Sequence, residues 1–473
     1  MLLKRILRHE VRVLSADRTL LAVGLLLAAV VGYGVFNGVS WAAFQRLTLR
    51  EAGREEAARY ETLREQIGSP GEGRGQGQGV PADQVGLALG ARYAAMPPGP
   101  LASLVIGQSD LYPYYALVTT ANRQSALAGD ELENPTHLLS GRFDLGFVVV
   151  VLYPLVILAL TYNLLSGEKE QGTLVMVLSQ PLDRRTLVLG KVLARGLVVM
   201  GLAAAISIGG YFLAGGPATR EGISRLALWL TLVVSYGAFW FALALAVNAL
   251  GKSSATNALA LAGTWFLLVG VIPALASLFV RVAYPVPSRI ELVQAVREAS
   301  DRAKAEGPSL NARFLEAHPE LTQGQAEANE FAIQSLAVQE ASEAEVAEVL
   351  DRFESQLGHQ QNLVDRFRFL SPAIAAFEAL QDVAGTGAGR YTHFAAQVDA
   401  FHVRWRAFFR PRILASQPIR RDDLALIPEF AFQEEPLSKV SRRTLTGLAG
   451  LLLPTFLIGS LGMTAMRKYP IVG

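Results

Sequence analysis

The sequence of 473 residues contains no cysteine. This absence excludes disulfide bonds, thiolate metal ligands and a cysteine nucleophile, and it leaves the cellular compartment open. Histidines are sparse, and none is spaced as H-x-x-x-H or H-E-x-x-H, so a metal-binding helix is not expected. The six histidines are His9, His137, His318, His359, His393 and His402.

Motifs that bind phosphate or carry out catalysis are also missing. The phosphate loop G-x-x-x-x-G-K-[ST] is absent, so this chain is not expected to bind ATP by that route. The serine elbow G-x-S-x-G is absent too, and Gly107–Asp110 matches only half of it, as a turn would. A net charge of +2 gives no electrostatic argument for nucleic acid. We therefore expect no catalytic residue, cofactor site or metal site in this chain.

Long apolar runs dominate what is present. The chain is 51% hydrophobic and 18% charged, with a mean hydropathy of +0.31, which predicts a membrane bundle with additional water-exposed domains. Six segments reach the length of about 20 residues that a transmembrane helix needs. They are 19–41, 145–165, 192–214, 226–249, 256–280 and 444–466. Arg195 is the only charged residue inside them, one turn into the third, where its side chain could reach the membrane surface.

Residues 1–18 mix apolar and basic side chains with a spacing that allows an amphipathic helix lying on the membrane surface. A cleaved signal peptide is the alternative interpretation. The apolar stretch that follows, 19–44, is longer than the ~7–15 residues of a usual signal core. An uncleaved first transmembrane helix fits better.

Lysine and arginine in the short connections predict the orientation. Basic residues concentrate before the first segment, in 166–191, in the 251–255 loop and in the 467–473 tail, whereas the 215–224 connection has only Arg220. The first four regions should therefore be cytoplasmic.

Two long segments, 42–144 and 281–443, then face outward. The first should begin as a polar helix over Gln45–Ile67, break at the glycine-rich run 68–81, which is typical of a mobile loop, and continue with turns and a few short strands. The second should be mainly helical. Its candidate helices are 291–305, 323–353, 357–370, 373–384 and 391–414. The predicted fold is a membrane all-α bundle of six helices with an N-terminal amphipathic helix and two extracytoplasmic insertions, the first α+β or irregular and the second mainly α-helical.

Hydroxyl and amide side chains within the apolar segments allow two interpretations. They could join neighbouring helices, or they could line a pathway for an amphipathic substrate. The candidate pathway residues are Thr161, Asn163, Ser207, Ser235, Tyr236, Asn248 and Thr264. The segments lack the acidic or histidine relays that ion coupling would use, so the energy for transport should come from a partner.

The charged stretch 166–191, which we call the island, separates the second and third apolar segments. Its glutamates precede a short apolar helix, where they would favour the positive end of the helix dipole and could pair with basic residues of a partner. Pro181 would stop that helix, and Arg184 and Arg185 would anchor the next span at an anionic membrane surface. A plain basic loop is the alternative.

The island resembles the cytoplasmic signature of type-2 ABC transporter permeases. The residues that carry the resemblance are Glu168, Glu170, Gly172, Thr173, Leu174 to Leu178, Ser179, Pro181, Arg184 and Leu189 to Lys191, and Arg185 extends the basic pair. The resemblance implies that Leu174–Leu178 is a coupling helix that docks on a separate ATPase subunit, which binds the ATP, and that residues 1–18 are an elbow helix. The stretches 107–115, 131–135 and 141–148 resemble a bacterial subgroup whose periplasmic domains have no assigned function.

The resemblance implies a permease subunit in the bacterial inner membrane, with both termini cytoplasmic, that exports an amphipathic, lipid-like or peptide substrate. The implied partners are an ABC ATPase subunit, a second permease protomer (identical or paralogous), a periplasmic or outer-membrane partner and membrane lipid, without nucleic acid. Two alternatives remain open. One is a mechanotransmission complex that moves a periplasmic partner without transport, and the other is a membrane-anchored scaffold or sensor without an ATPase.

Overall fold

The computed structural model describes residues 6–12, 18–68, 79–121, 143–180, 183–285 and 366–470, with scattered residues between 294 and 364. Within these ranges, six helices are long and apolar enough to cross a membrane. They are span 1 (Gly24–Gly68), span 2 (Leu145–Glu170), span 3 (Arg184–Leu213), span 4 (Arg220–Asn248), span 5 (Ser254–Ala283) and span 6 (Leu437–Lys468). The predicted all-α membrane class is confirmed.

Side-chain caps set where three of these spans begin. Asp144 accepts a hydrogen bond from the Phe147 amide at 2.7 Å at the start of span 2. Thr219 and Ser253 accept bonds from amides in the first turns of spans 4 and 5. Such caps satisfy amides that the first turn of a helix leaves without partners.

The connections divide the bundle into two ends. The island, the Gly251 turn and the tail after span 6 meet at one end, which we call the island end, because Glu170 bonds to Ser254 and Arg184 bonds to Tyr469. The opposite, far end carries the large segments between spans 1 and 2 and between spans 5 and 6.

Span 1 continues well beyond the length that a membrane requires. It belongs to one 51-residue helix, Arg18–Gly68, which at 1.5 Å per residue is about 76 Å long, more than twice the ~30 Å hydrocarbon core. The predicted helix over Gln45–Ile67 is confirmed as the end of this helix, and it reaches into the folded part of the chain beyond the far end.

That part, which we call the distal body, combines the end of the span 1 helix with residues 79–121 and 388–435. Strands Arg92–Ala95 and Tyr115–Val118 pair antiparallel, with Arg92 opposite Val118. The helix Ala388–Leu414, the distal helix, turns an aromatic face into the core of this body, at the i, i+4, i+7, i+11 spacing of one helix side. These residues are Phe394, Val398, Phe401, Trp405 and Phe409.

Shorter elements lie within and between these helices. They are the helices Ala82–Gln84 and Leu145–Phe147, the π turns Val85–Leu89, Val148–Leu152 and Phe266–Val271, and the 3-10 turns Arg368–Leu370, Arg421–Leu426 and Met466–Lys468. The predicted strands and the predicted helices 373–384 and 391–414 are confirmed. The glycine-rich run 68–81, the 131–135 stretch and the helices predicted over 291–305 and 323–353 fall wholly or largely outside the described residues. The helix predicted over 357–370 is mostly described: its described residues up to Phe367 are helical, and Arg368–Leu370 forms a 3-10 turn.

The helix Pro372–Ala384, which we call the inserted helix, lies among the spans. From the sequence, this helix was expected in a water-exposed segment. In the structure, Ala376, Ala379 and Leu380 are buried in the same hydrophobic core as side chains of spans 2, 4 and 5. Glycine on span 6 permits the close contact, since a Cβ atom at Gly447 would lie 2.9 Å from the Ala379 Cβ. The inserted helix has 13 residues, too few to cross a membrane, so it enters the bundle from the far end and returns.

A cluster of three arginines, the anchor cluster, joins the distal body to spans 4 and 6. Arg390 pairs with Glu434 at 2.7 Å within the distal body, and Arg443 of span 6 pairs with Glu435 of that body at 2.6 Å. Arg225 of span 4 is 1% exposed and donates to the carbonyls of Val383 and Glu435. Arg443 and Arg225 therefore join the distal body to the bundle at Glu435, and Arg390 joins Glu434 to the distal helix beside them.

Candidate functional site

The island contains two short helices, Ser166–Glu170 and Leu174–Leu178. Gly172 joins them with a φ of +72°, a conformation that favours glycine, and the Thr173 amide donates to the Glu168 carbonyl at 2.9 Å. Sequence placed both glutamates at the start of the apolar helix. The structure corrects this arrangement, because Glu168 and Glu170 lie in the first helix, before the Gly172 turn.

A turn over 162–165 leads into the island from Thr161, where the regular helix of span 2 ends. This turn leaves carbonyl groups without helical donors, and side chains of other spans bond to them. Asn248 of span 4 donates to the Thr161 carbonyl at 2.8 Å and accepts from the Leu164 amide at 3.2 Å. Asn257 of span 5 donates to the Tyr162 carbonyl at 3.3 Å.

Two cations of span 3 complete this arrangement. Lys191 is 3% exposed, and its Nζ lies 3.0 Å from the Leu164 carbonyl and 2.5 Å from Glu168 Oε1. Arg195 donates to the Leu160 carbonyl and lies 3.7 Å from Glu10, so its largely buried guanidinium is held within the chain. We call Lys191, Arg195, Asn248 and Asn257 the hub, because together they join span 2 and the island to spans 3, 4 and 5.

The second glutamate also has an internal partner. Glu170 accepts a hydrogen bond from the Ser254 amide at 2.7 Å, where a carboxylate is favourable beside the N-terminus of the span 5 helix. Ser166 and Ser254 share a hydrogen bond between their hydroxyls at 2.8 Å. Sequence predicted that the glutamates favour the dipole of the apolar helix. Instead, Glu170 stabilises span 5 and Glu168 neutralises Lys191.

The second island helix has one buried face and one exposed face. Leu174 is 1% exposed and packs with Leu165, Leu187 and other residues of the island end, whereas Val175 is 54% and Met176 is 73% exposed. Leu178 is half-buried, Ser179 is exposed, and Pro181 lies outside the described residues. The helix therefore presents an apolar surface directed away from the bundle.

The tail after span 6 packs beneath the island. Arg184 donates to the carbonyls of Arg467 and Tyr469, at 3.3 and 3.1 Å. The Lys169 ammonium lies 5.9 Å from the centre of the Tyr469 ring, and Tyr469 itself is buried. Arg184 is thus engaged with the tail, and Arg185 beside it is half-buried. Sequence reasoning missed this role of the tail, which only a long-range contact reveals.

Five of the seven candidate pathway residues donate hydrogen bonds to backbone carbonyls. Thr161, Ser207 and Thr264 each donate to the carbonyl four residues earlier in their own helix. Tyr236 donates to the Val150 carbonyl at 2.8 Å, a group that in a regular helix would bond to residue 154, which is proline and has no amide hydrogen. Asn248 belongs to the hub. Ser235 is buried and Asn163 is half-buried, and the pathway role of the whole set stays a prediction.

The six spans define the chain as a multi-pass helical membrane protein. It is similar to proteins named "Probable ABC transporter permease protein NosY". The one from Pseudomonas aeruginosa is 33% identical over 123 residues, which cover 25% of this chain and 44% of the relative. The one from Stutzerimonas stutzeri is 35% identical over 132 residues, or 27% of this chain and 47% of the relative. The chain thus matches less than half the length of either relative.

Residues 289–433 match a family described as "Domain of unknown function (DUF3526)". This match includes the inserted helix and the distal helix, and it assigns no activity to them.

Proposed function

We propose that this chain is the membrane subunit of an ABC transporter and that a separate ATPase subunit docks on the second island helix. The observation that carries the proposal is the apolar surface of Val175 and Met176 on a helix whose opposite side is packed into the island end. An exposed apolar surface on a firmly held element is typical of a protein interaction site. The similarity to proteins named as permeases supports this reading.

The hub would carry movement from the island into the bundle. A force on the second island helix passes through Leu174 to the packed island end, and through Lys191 and Asn248 to spans 3 and 4. Glu170 and the Tyr469 contact add spans 5 and 6. Packed interfaces of this kind move between discrete arrangements, which a partner can favour by binding one of them more tightly.

The remaining parts of the proposal follow from the same assignment. The partner binds and hydrolyses ATP, the island end faces the cytoplasm of a bacterial cell, and a second permease protomer, identical or paralogous, completes the pathway. Export of an amphipathic, lipid-like or peptide substrate is the proposed direction. The distal body then lies on the outer side of the inner membrane, where it can meet a periplasmic or outer-membrane partner.

Affinity purification of the full chain from its native membranes, followed by an assay of ATP hydrolysis, tests the proposal. Because this chain has no phosphate loop, any ATP turnover reports a bound partner. The wild-type chain should retain ATPase activity, whereas Met176→Asp should lose most of it, because a buried charge at an apolar interface has no partner. Met176→Leu is the matched control. Equal ATPase recovery with Met176→Asp would show that the partner docks elsewhere, and no ATPase with any variant would favour the scaffold.

Transmission of force without transport is the second candidate. It is favoured by the 51-residue helix that joins span 1 to the distal body and by the anchor cluster that ties this body to spans 4 and 6. Reconstitution of the purified complex in sealed vesicles separates the two functions. ATP-dependent accumulation of a fluorescent lipid or peptide supports transport, whereas ATP-dependent change in a distance between labels on the distal body and span 3, with no accumulation, supports transmission.

A further inference from the structure

A cavity of about 340 Å³ lies at the far end of span 5 and is lined by Tyr284, His359, Leu363 and Arg366. The cavity belongs to neither the island nor the hub. Its lining carries a guanidinium, an imidazole and a phenol, and none of the four side chains is acidic.

The cavity forms where the chain returns to span 5 from the segment beyond it. Tyr284 follows the last turn of span 5, and its ring stacks on His359 with centres 5.4 Å apart and an interplanar angle of 16°. Gln360 donates to the Tyr284 carbonyl at 2.5 Å. One turn lower, Phe279 and Phe367 pack with ring centres 5.6 Å apart. These contacts hold the returning segment against span 5.

The depth of the cavity can be read from span 5. Leu268 lies near the middle of the apolar stretch between Lys252 and Arg281. Arg281 and Tyr284 follow it by 13 and 16 residues, which at 1.5 Å per residue places them about 20 and 24 Å from the middle of the bilayer. A bilayer is roughly 40–45 Å thick including its headgroups. Half of this thickness is about 20–22 Å, so Arg281 lies at the level of the lipid headgroups and the cavity beside Tyr284 lies at their outer edge.

Next to the cavity, on the side towards the membrane centre, the protein surface is apolar and exposed. Leu278, Phe279 and Val282 on span 5, and Phe369 and Leu370 at the end of the returning segment, are each more than half exposed. Arg281 and Arg366 are exposed above this surface. A ligand that fits both parts has an anionic group for the arginines and hydrocarbon chains for the apolar surface below.

We propose that this cavity binds the headgroup of a phospholipid, with the phosphate between Arg366 and His359 and the acyl chains along Leu278 and Val282. Arg281 shares a helix side with Tyr284 and adds a second positive charge at the same level. Guanidinium groups bind phosphate with two parallel hydrogen bonds. The proposal does not depend on an ATPase partner, so it stands or falls separately from the proposed transport function.

Native mass spectrometry of the full chain, released from nanodiscs that contain phosphatidylglycerol and phosphatidylethanolamine, tests the proposal. The wild-type chain should keep bound phospholipid. The double variant Arg281→Ala and Arg366→Ala should bind it about tenfold more weakly, because it loses charge-assisted hydrogen bonds. Arg442→Ala is the matched control, since Arg442 is an exposed arginine at the start of span 6 at the same end of the bundle.

Each outcome of the experiment is decisive. Lipid retention that is unchanged in the double variant, or reduced equally in Arg442→Ala, overturns the proposal in favour of ordinary contact with surrounding lipid. Displacement of the lipid by millimolar glycerol phosphate would show that the site recognises the phosphate group and would support the proposal. Retention of glycerol phosphate by a chain that retains no phospholipid would show a site for a free phosphate compound and would overturn the proposal. An unaltered thermal unfolding midpoint in the double variant confirms that a loss of lipid is not a loss of fold.

Discussion

Ser371 donates a hydrogen bond from its Oγ to the carbonyl of Leu268, at 2.5 Å, in the middle of span 5. Span 5 has a π turn over Phe266–Val271, in which the amide of Ile272 bonds to the Leu267 carbonyl. The next amide along would serve Leu268, but residue 273 is proline and has no amide hydrogen. Ser371 therefore satisfies a backbone group that proline leaves free, and it does so at the tip of the segment that ends in the inserted helix.

Replacing Ser371 with alanine should destabilise the bundle. The variant leaves the Leu268 carbonyl without a donor and removes the cap that accepts the Ala373 amide at 3.1 Å, and a buried polar group without a partner costs about 1–3 kcal/mol. The thermal midpoint, followed by tryptophan fluorescence in detergent, should fall. Thr446→Ala, which removes an exposed hydroxyl bonded within its own helix, should leave the midpoint within about 1 °C. Equal midpoints for the two variants would contradict the role of Ser371.

The depth of the Ser371 tip can be tested with single cysteines, because the natural chain has none. Leu370→Cys places the only thiol beside the tip, and Leu426→Cys places it on the exposed surface of the distal body. In open membrane sheets, a membrane-impermeant maleimide should label Leu426→Cys and not Leu370→Cys, because a thiol in hydrocarbon does not form the reactive thiolate.

Detergent provides the control for that experiment, since it should make both thiols reactive. Rapid labelling of Leu370→Cys in intact membranes would mean that the inserted helix does not lie in the bilayer.

Removing the Asn248 amide should release the island from the bundle. Asn248→Ala leaves the Leu164 amide and the Thr161 carbonyl without their side-chain partners. The local opening that follows should raise the rate of tryptic cleavage after Lys169, Arg184 or Arg185 by about tenfold, for a cost of ~1.4 kcal/mol.

Asn257→Ala removes three longer bonds, to the Tyr162 carbonyl at 3.3 Å, Asn248 Oδ1 at 3.3 Å and Ser166 Oγ at 3.5 Å, and should produce a smaller increase in cleavage. Thr264→Ala, whose hydroxyl bonds within its own helix, is the control without an effect. If the island of Asn248→Ala resists trypsin as well as that of the wild-type chain, packing around Leu174 holds the island in place without the hub.

The anchor cluster should weaken in acid through Glu434. Burial raises the pKa of this carboxyl, but the hydrogen bonds and charge of Arg390, with the charge of Arg225, outweigh burial and lower the pKa below its ordinary value. A lowered folded-state pKa means that the stabilisation is fully present above the unfolded value of ~4.3 and is lost as the pH falls through the folded value.

The thermal midpoints of wild type and Glu434→Gln should therefore differ by a constant amount above about pH 5 and converge as the pH falls below about 4. Glu61→Gln is the acid-to-amide control, because Glu61 forms an exposed pair with Arg64 and such pairs contribute little. A difference between wild type and Glu434→Gln that persists at pH 3 would show that the charge of Glu434 does not stabilise the anchor cluster.

Local signals in the sequence were sufficient to predict the main helices themselves. The six spans follow from runs of about 20 apolar residues, and the Gln45–Ile67 extension and the distal helix follow from helical periodicity. Gly172, which divides the island, could be recognised in the sequence as a glycine. That Glu168 and Glu170 lie in a separate helix before it could not be predicted, because the chain on either side of a glycine can be helical.

By itself, the sequence determined which segments can cross a membrane, because that property depends only on the length and polarity of each segment. Only the tertiary structure decided that the inserted helix lies inside the bundle, since a short alanine-rich face suits a water-exposed domain and a membrane core equally well. Likewise, it alone decided that Glu170 caps span 5, that Asn248 holds the end of span 2, and that Tyr469 lies beneath the island. Each of these contacts joins residues more than 80 positions apart, and no local pattern specifies which distant group will satisfy an unpaired carbonyl or amide.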